Sequence, residues 1–255
     1  MNKIIVKSFL ILATIGLLAS CTNEQEEPSV EAYGTVRFAL DSEESRALNT
    51  SYNKDAFQVS VKQGNTTVVR PQAYSALQNG VLIKVGSGYQ AYAESCSESE
   101  AESTNEGWGC IRYYGASEQF SVAKNEDVTA NIPCEMVNAA VSIQVDEQVA
   151  SNFPAYQLTL TASDDNTRNL TFTNASANNT AYFNVSGSRT IKYVLTVGEN
   201  KTLSQSFTIQ PKHSYTLDIH MQTATEITVS IGVTVDDTVD EEKTEGTYNP
   251  YEVAE

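Results

Sequence analysis

Histidine and tryptophan are almost missing from this sequence, and with them much of the chemistry that a catalytic or metal site draws on. The two histidines, His213 and His220, share one short segment, and the lone tryptophan is Trp108. No Cys-x-x-Cys or His-x-x-x-His spacing occurs to hold a transition metal. Also missing are the Gly-x-Ser-x-Gly elbow of a serine hydrolase and a glycine-rich phosphate loop. Basic residues are scarce: 16 Lys and Arg stand against 32 Asp and Glu, for a formal net charge of −16. A surface this acidic repels nucleic acid and anionic headgroups, so neither is an expected partner. Long apolar runs are absent apart from Phe9 to Leu18, which is too short to span a bilayer. These absences point to a non-enzymatic protein without cofactor or metal.

What is present begins at the N-terminus. Lys3 and Lys7 precede the Phe9–Leu18 run, and Leu18-Ala19-Ser20-Cys21 follows it. The whole is the pattern of a secretory signal peptide over residues 1–20. Its end resembles the bacterial lipobox, which implies cleavage before Cys21, diacylglycerol on the thiol and a further acyl chain, such as palmitate, on the amine. Two or more chains hold a protein to a membrane stably, each buried CH₂ contributing roughly 0.8 kcal/mol. The competing reading is an ordinary signal peptide with a chance cysteine. Removing the signal leaves 14 basic against 32 acidic groups, a net charge of −18. Residues 21–33 are polar and acidic without apolar periodicity, and read as a disordered, lipidated tether. Acidic residues at that place also resemble the export signal of some Bacteroides-type surface lipoproteins, although a solvated spacer has the same composition.

Lipidation of Cys21 leaves Cys96, Cys110 and Cys134, so at most one bridge forms within the chain. Cys96 and Cys110 bracket a Ser/Glu-rich loop and are expected to pair across a hairpin, for about 3 kcal/mol on the chain-entropy account. Cys134, between the apolar Ile132 and Met136, is expected to be a free, buried thiol.

From residue 34 onward short apolar/polar alternations recur, as half-buried strands require. Val36, Phe38 and Leu40 share one face; Phe57, Val59 and Val61 repeat the pattern, as do Val81, Ile83 and Val85. Longer alternations cover Val141–Val145, Ile191–Val197, Tyr215–Met221 and Ile227–Val235. The chain is therefore expected to be all-β. An ungapped repeat aligns Phe120-Ser-Val-Ala-Lys-Asn-Glu-Asp-Val-Thr-Ala-Asn-Ile132 with Phe207-Thr-Ile-Gln-Pro-Lys-His-Ser-Tyr-Thr-Leu-Asp-Ile219. Both copies read as a hairpin, and the repeat implies two domains of like build, 34–135 and 136–242, with a flexible tail at 243–255.

Further motifs carry a family resemblance. They are Val81-Leu-Ile-Lys-Val-Gly-Ser-Gly-Tyr-Gln-Ala-Tyr-Ala93, Trp108, Tyr113-Tyr114-Gly115, Phe120-Ser-Val, and Pro133-Cys134-Glu-Met-Val-Asn-Ala-Ala-Val-Ser-Ile143. In order and spacing they resemble the Bacteroides-type fimbrillin-like surface lipoproteins. The resemblance implies two transthyretin-like β-sandwich domains in tandem on the outer membrane, facing the cell exterior. It further implies a non-catalytic fimbria-related anchor, tip or adhesive subunit, with fimbrial subunits or a host surface as partner. Fimbrillins that polymerise are trimmed at an arginine near the N-terminus. Arg46 matches such a processing site, or is an ordinary loop arginine.

Trp108, with Tyr113 and Tyr114, is the sharpest candidate for a contact surface, because aromatics on a closed loop can stack on a sugar or fill a partner's pocket. The competing role is to cover the end of a core. The same aromatics, anchor and β-sandwiches suit an alternative function, a carbohydrate-binding lipoprotein of a glycan-uptake system. Two acidic clusters, Asp164-Asp165-Asn166 and Asp236 to Glu242, lack the spacing of a Ca²⁺ loop and read as solvated turns.

Overall fold

Strand-forming alternation governs almost the whole of the structure, a computed structural model that describes residues 31–41, 53–198, 201–223, 227–237 and 246–247. Cys21, the tether before Glu31 and Arg46 lie outside the described residues. No helix among the described residues is long and apolar enough to cross a membrane.

The first half contains β1 (Tyr33–Asp41), β2 (Gln58–Gln63), β3 (Thr66–Ala73), β4 (Val81–Lys84), β5 (Gly86–Glu94), the short helix α1 (Glu98–Ser103), β6 (Tyr113–Ala116), β7 (Phe120–Val122) and β8 (Asp127–Met136). The second half contains β9 (Asn138–Val145), α2 (Glu147–Asn152), β10 (Gln157–Ala162), β11 (Asp165–Phe172), β12 (Ala181–Asn184), β13 (Arg189–Val197), β14 (Lys201–Ile209), β15 (His213–Thr223), β16 (Ile227–Asp237) and β17 (Gly246–Thr247). The chain is all-β, as its alternation predicts. In β1 the expected face is the buried one: Val36, Phe38 and Leu40 are covered while Arg37 is exposed.

In the first half the strand order is β3-β2-β5-β6-β8-β1-β4, with β7 beside β5. Strand β8 joins two sheets. Its residues Asp127–Pro133 run parallel to β1, and Cys134–Met136 run antiparallel to β6. At that corner Gly115 has no room for a side chain, since a Cβ would stand 2.2 Å from the Pro133 carbonyl oxygen. The second half has two separate sheets, β11-β10-β13-β14 and β12-β9-β15-β16-β17, with β9 and β15 parallel.

The repeated segment takes equivalent places in both halves, but it is not a hairpin. Strand β7 pairs with β5 and β14 with β13, whereas β8 pairs with β1 and β15 with β9. Each copy therefore crosses from one sheet to another as an arch, and its second strand lies parallel to the first strand of its half. Val128 faces Val36 in register, and its counterpart Tyr215 faces Val141; Ile132 faces Leu40, and Ile219 faces Val145. A Phe-x-Val run followed by a polar turn has the same sequence pattern in either geometry, because each strand shows one buried face. The expected tail also contributes two residues to the fold: Gly246 and Thr247 extend the edge of β16.

The described residues from Ala32 onward form one compact unit, and within it are two hydrophobic cores. One gathers residues between Val36 and Ala140 and includes Phe57, Tyr113 and Ile132. The other gathers residues between Ala139 and Ile231 and includes Leu158, Phe172, Phe183 and Leu217.

Candidate functional site

The excursion between Cys96 and Cys110 is built from local chemistry. Ser97 caps α1 in a capping box: its Oγ accepts from the Glu100 amide at 3.3 Å, and Glu100 Oε2 accepts from the Ser97 amide at 2.9 Å. The Ser97 amide and the Ser97 hydroxyl, which donates to the same Oε2 at 2.8 Å, hold the Glu100 carboxyl below its ordinary range. Glu98 and Glu100 in the first turn also suit the helix dipole. The expectation of a Ser/Glu-rich loop is thus replaced by a capped turn of helix, which Ser97-x-x-Glu100 encodes.

Beyond α1 the backbone enters the left-handed region at Asn105 (φ 50°), Glu106 (φ 58°), Gly107 (φ 90°) and Gly109 (φ 85°). The two residues with a Cβ each cost on the order of 1 kcal/mol there. The Asn105 side chain offsets part of this by donating to the Gly109 carbonyl at 2.7 Å. A Cβ on Gly109 would lie 2.2 Å from the Ala101 oxygen, which accepts from the Cys110 amide at 3.0 Å. Only glycine permits that closure. At the base, Arg112 bridges Glu94 (3.2 Å) and Glu98 (3.3 Å) and donates from Nε to the Cys96 carbonyl at 3.2 Å.

This excursion belongs to the first half by sequence and docks on the second. Trp108 packs edge-on against Phe172 with ring centroids 4.7 Å apart, and its carbonyl accepts from the Tyr182 amide at 2.8 Å. Conversely Tyr182, on β12, packs against the first core. The aromatic exchange is reciprocal. Glu102 accepts from Arg189 Nη1 at 2.6 Å and from the Asn184 amide at 2.7 Å, and Arg168 Nη1 stands 3.6 Å away. The same two guanidinium groups lie over the Phe183 ring, at 4.6 Å for Arg168 and 5.9 Å for Arg189. Arg168 also donates to the Gly107 carbonyl at 2.8 Å. Desolvation lowers the Arg168 pKa, yet the guanidinium remains charged at neutral pH. Asn138, fully buried between the halves, donates to the Cys110 carbonyl at 2.8 Å and accepts from the Arg112 amide at 3.1 Å. We call this set of contacts the clasp.

The structure separates the expected contact residues. Tyr113 is 1% exposed and belongs to the first core, because its position in β6 faces inward. Tyr114 faces the other way, 6.3 Å from Tyr92, on the outside of the first-half sheet. Trp108 alone borders the junction, so the three do not form one aromatic surface. Cys96 and Cys110 lie side by side as thiols with sulfurs 3.3 Å apart. Burial, followed by the Cys110 hydrogen bond, pushes the Cys96 thiol up to about 12. Cys134 is buried at 3% exposure, which pushes its thiol up to about 11. Neither carries an activated thiolate near pH 7. His213 and His220 both lie on β15 at positions of opposite parity, so they point to opposite sides of the sheet. His220 is half-buried. Asp164, one of the candidate Ca²⁺ residues, instead receives the Arg189 Nε–H at 2.8 Å, which holds its carboxyl below the usual range. Asp165 is likewise lowered by the Thr167 hydroxyl and amide.

Beside Trp108 lies an open groove of about 490 Å³. It is lined by Asn105, Glu106 and Trp108 from the excursion and by Asn178, Asn179, Thr180 and Tyr182 from the approach to β12. The sequence reading found the indole but not the Asn178-Asn179-Thr180 side, which only the docking of the excursion brings to it. A smaller groove of about 160 Å³ runs past Tyr92 and Tyr114.

Comparison with solved structures finds chains of similar course at low identity. A fimbrilin (FimA) from Porphyromonas gingivalis W83 is 12% identical, with 80% of this chain and 97% of that one covered and a TM-score of 0.47. For a fimbrial assembly protein from Parabacteroides distasonis the figures are 9%, 85%, 98% and 0.46. For the fimbrial anchor protein Mfa2 from Porphyromonas gingivalis they are 11%, 80%, 98% and 0.39. A comparison with curated proteins finds no match. Residues 33–250 match a family model described as "Domain of unknown function (DUF4493)", which spans nearly all of the described fold, and the chain belongs to that family.

Proposed function

We propose that the protein is a non-catalytic lipoprotein of the outer membrane, exposed to the cell exterior and serving as a fimbria-related anchor, tip or adhesive subunit. The observation that carries this reading is the sequence of parts: a lipobox-like Cys21, a short acidic stretch, then two β cores coupled by the clasp. A tethered body of this kind suits a part that bears load or presents a surface. The most distinctive polar residues of the junction serve cohesion, since Glu102 forms ion pairs with both Arg189 and Arg168, while Glu102 and Arg168 each bond to the backbone of the facing half. We assign the two cores to two domains meeting near residues 134–138, and the Cys96–Cys110 pair to a disulfide formed after export, across the base of the excursion.

The test is association with fimbriae in the source bacterium. Surface appendages are sheared from cells after short-range amine crosslinking and probed for this chain. Its crosslinking to a fimbrial subunit is the expected result. Recovery of the chain only as an isolated species, with fimbriae present in the same preparation, contradicts the role.

A further inference from the structure

From the groove beside Trp108 we infer a binding site for a neutral saccharide. This goes beyond the anchor reading and stands on the groove alone, so the two can fail separately. The lining combines an indole and a phenol with three amides, Asn105, Asn178 and Asn179, and a single carboxylate, Glu106. No basic side chain lines it. A phosphate, sulfate or uronate would meet Glu106 and the acidic surface without a cation to receive it. An apolar ligand would leave the amides unpaired.

A pyranose has the matching chemistry. Its C–H face lies against an aromatic ring, and its vicinal hydroxyls both donate and accept, as an amide does. The volume falls within the roughly 300–1,000 Å³ of small-molecule sites, and the open form admits an oligosaccharide chain rather than enclosing one ring. Two features show a shaped wall. Trp108 is fixed by Phe172 beneath it and by the Tyr182 amide on its carbonyl. Consecutive left-handed residues, Asn105 and Glu106, present the near side, and backbone held in such a state is concentrated at ligand sites. Among the described residues, no hydrogen bond engages the Asn178 or Asn179 side chain, so both amides remain available.

Because Trp108 is the only tryptophan, selective indole excitation reports this groove directly. The full chain from Cys21 onward, with Cys21→Ser for solubility, is screened on an array of neutral and anionic glycans. Hits are then titrated by fluorescence, with acrylamide quenching as a second reading. The expected result is a saturable change in emission, with reduced quenching, for at least one neutral oligosaccharide at a Kd of about 10 μM to 1 mM. The surface variant N178A/N179A should keep its fold by circular dichroism and weaken binding about tenfold or more. Trp108→Phe, followed by calorimetry, should also weaken binding while retaining the packing on Phe172. Three outcomes overturn the inference: no neutral hit on the array, hits confined to anionic glycans, or binding that is unchanged in N178A/N179A.

Discussion

Gly109 and Gly107 stand two residues apart with similar φ, and they should respond differently to a methyl group. At Gly109 the added carbon strikes the Ala101 carbonyl and the residue already has φ 85°, so Gly109→Ala is expected to cost about 3 kcal/mol or more in urea unfolding. At Gly107 the space is open and only the φ of 90° is unfavourable, which limits Gly107→Ala to about 1–2 kcal/mol. Equal costs would show that the turn relaxes as a whole. Asp164 offers a test by pH. Its folded pKa is depressed by Arg189, so its contribution is present above the unfolded carboxylate value and is lost as pH falls through the folded one. Stability should therefore fall as pH drops below about 4, and Asp164→Asn should show a shallower acid loss in unfolding titrations. A slope identical to that of the wild type removes Asp164 from the account.

The two arches make a prediction about elements. Ile132 and Ile219 are equivalent by sequence repeat and by register, and each is fully buried in its own core. Ile132→Ala and Ile219→Ala should each cost about 2–5 kcal/mol, and the losses should add, since the residues share no core. Strong non-additivity would mean that the cores are not separate. The arches also show what a sequence can specify. Alternation fixes which side of a strand is buried, and the faces of β1, β9, β13 and β15 were legible from it. It does not fix which sheet a strand joins, because both sheets of a sandwich present the same alternating face to the interior. The hairpin expected at Phe120–Ile132 is an arch for that reason. Likewise the aromatic loop was visible as composition, whereas its docking depends on Glu102, Arg168 and Arg189, whose approach no local pattern encodes. Ser97-x-x-Glu100 was the one readable sign of α1.

At the scale of the molecule the clasp ties two β cores together through ion pairs and backbone hydrogen bonds. Glu102→Ala removes the carboxylate that is ion-paired with both Arg168 and Arg189, whose side chains are mostly buried. A buried pair broken on one side costs about 3–5 kcal/mol, and the 21% exposure of Glu102 moderates that to about 2–3 kcal/mol. The variant should also split a single calorimetric transition into two. In exported protein, peptide mapping without reductant should find Cys96 joined to Cys110 and Cys134 unmodified; a bridge to Cys134 would overturn the assignment. The proposed role requires display at the cell surface, which is tested most directly by protease shaving of intact source cells, with an internal periplasmic protein as the control for integrity. The account predicts that the wild-type chain is membrane-bound and digested from outside, while Cys21→Ser is released from the membrane or left unprocessed. A Cys21→Ser chain held at the surface as firmly as wild type, or a wild-type chain wholly protected from protease, would contradict it.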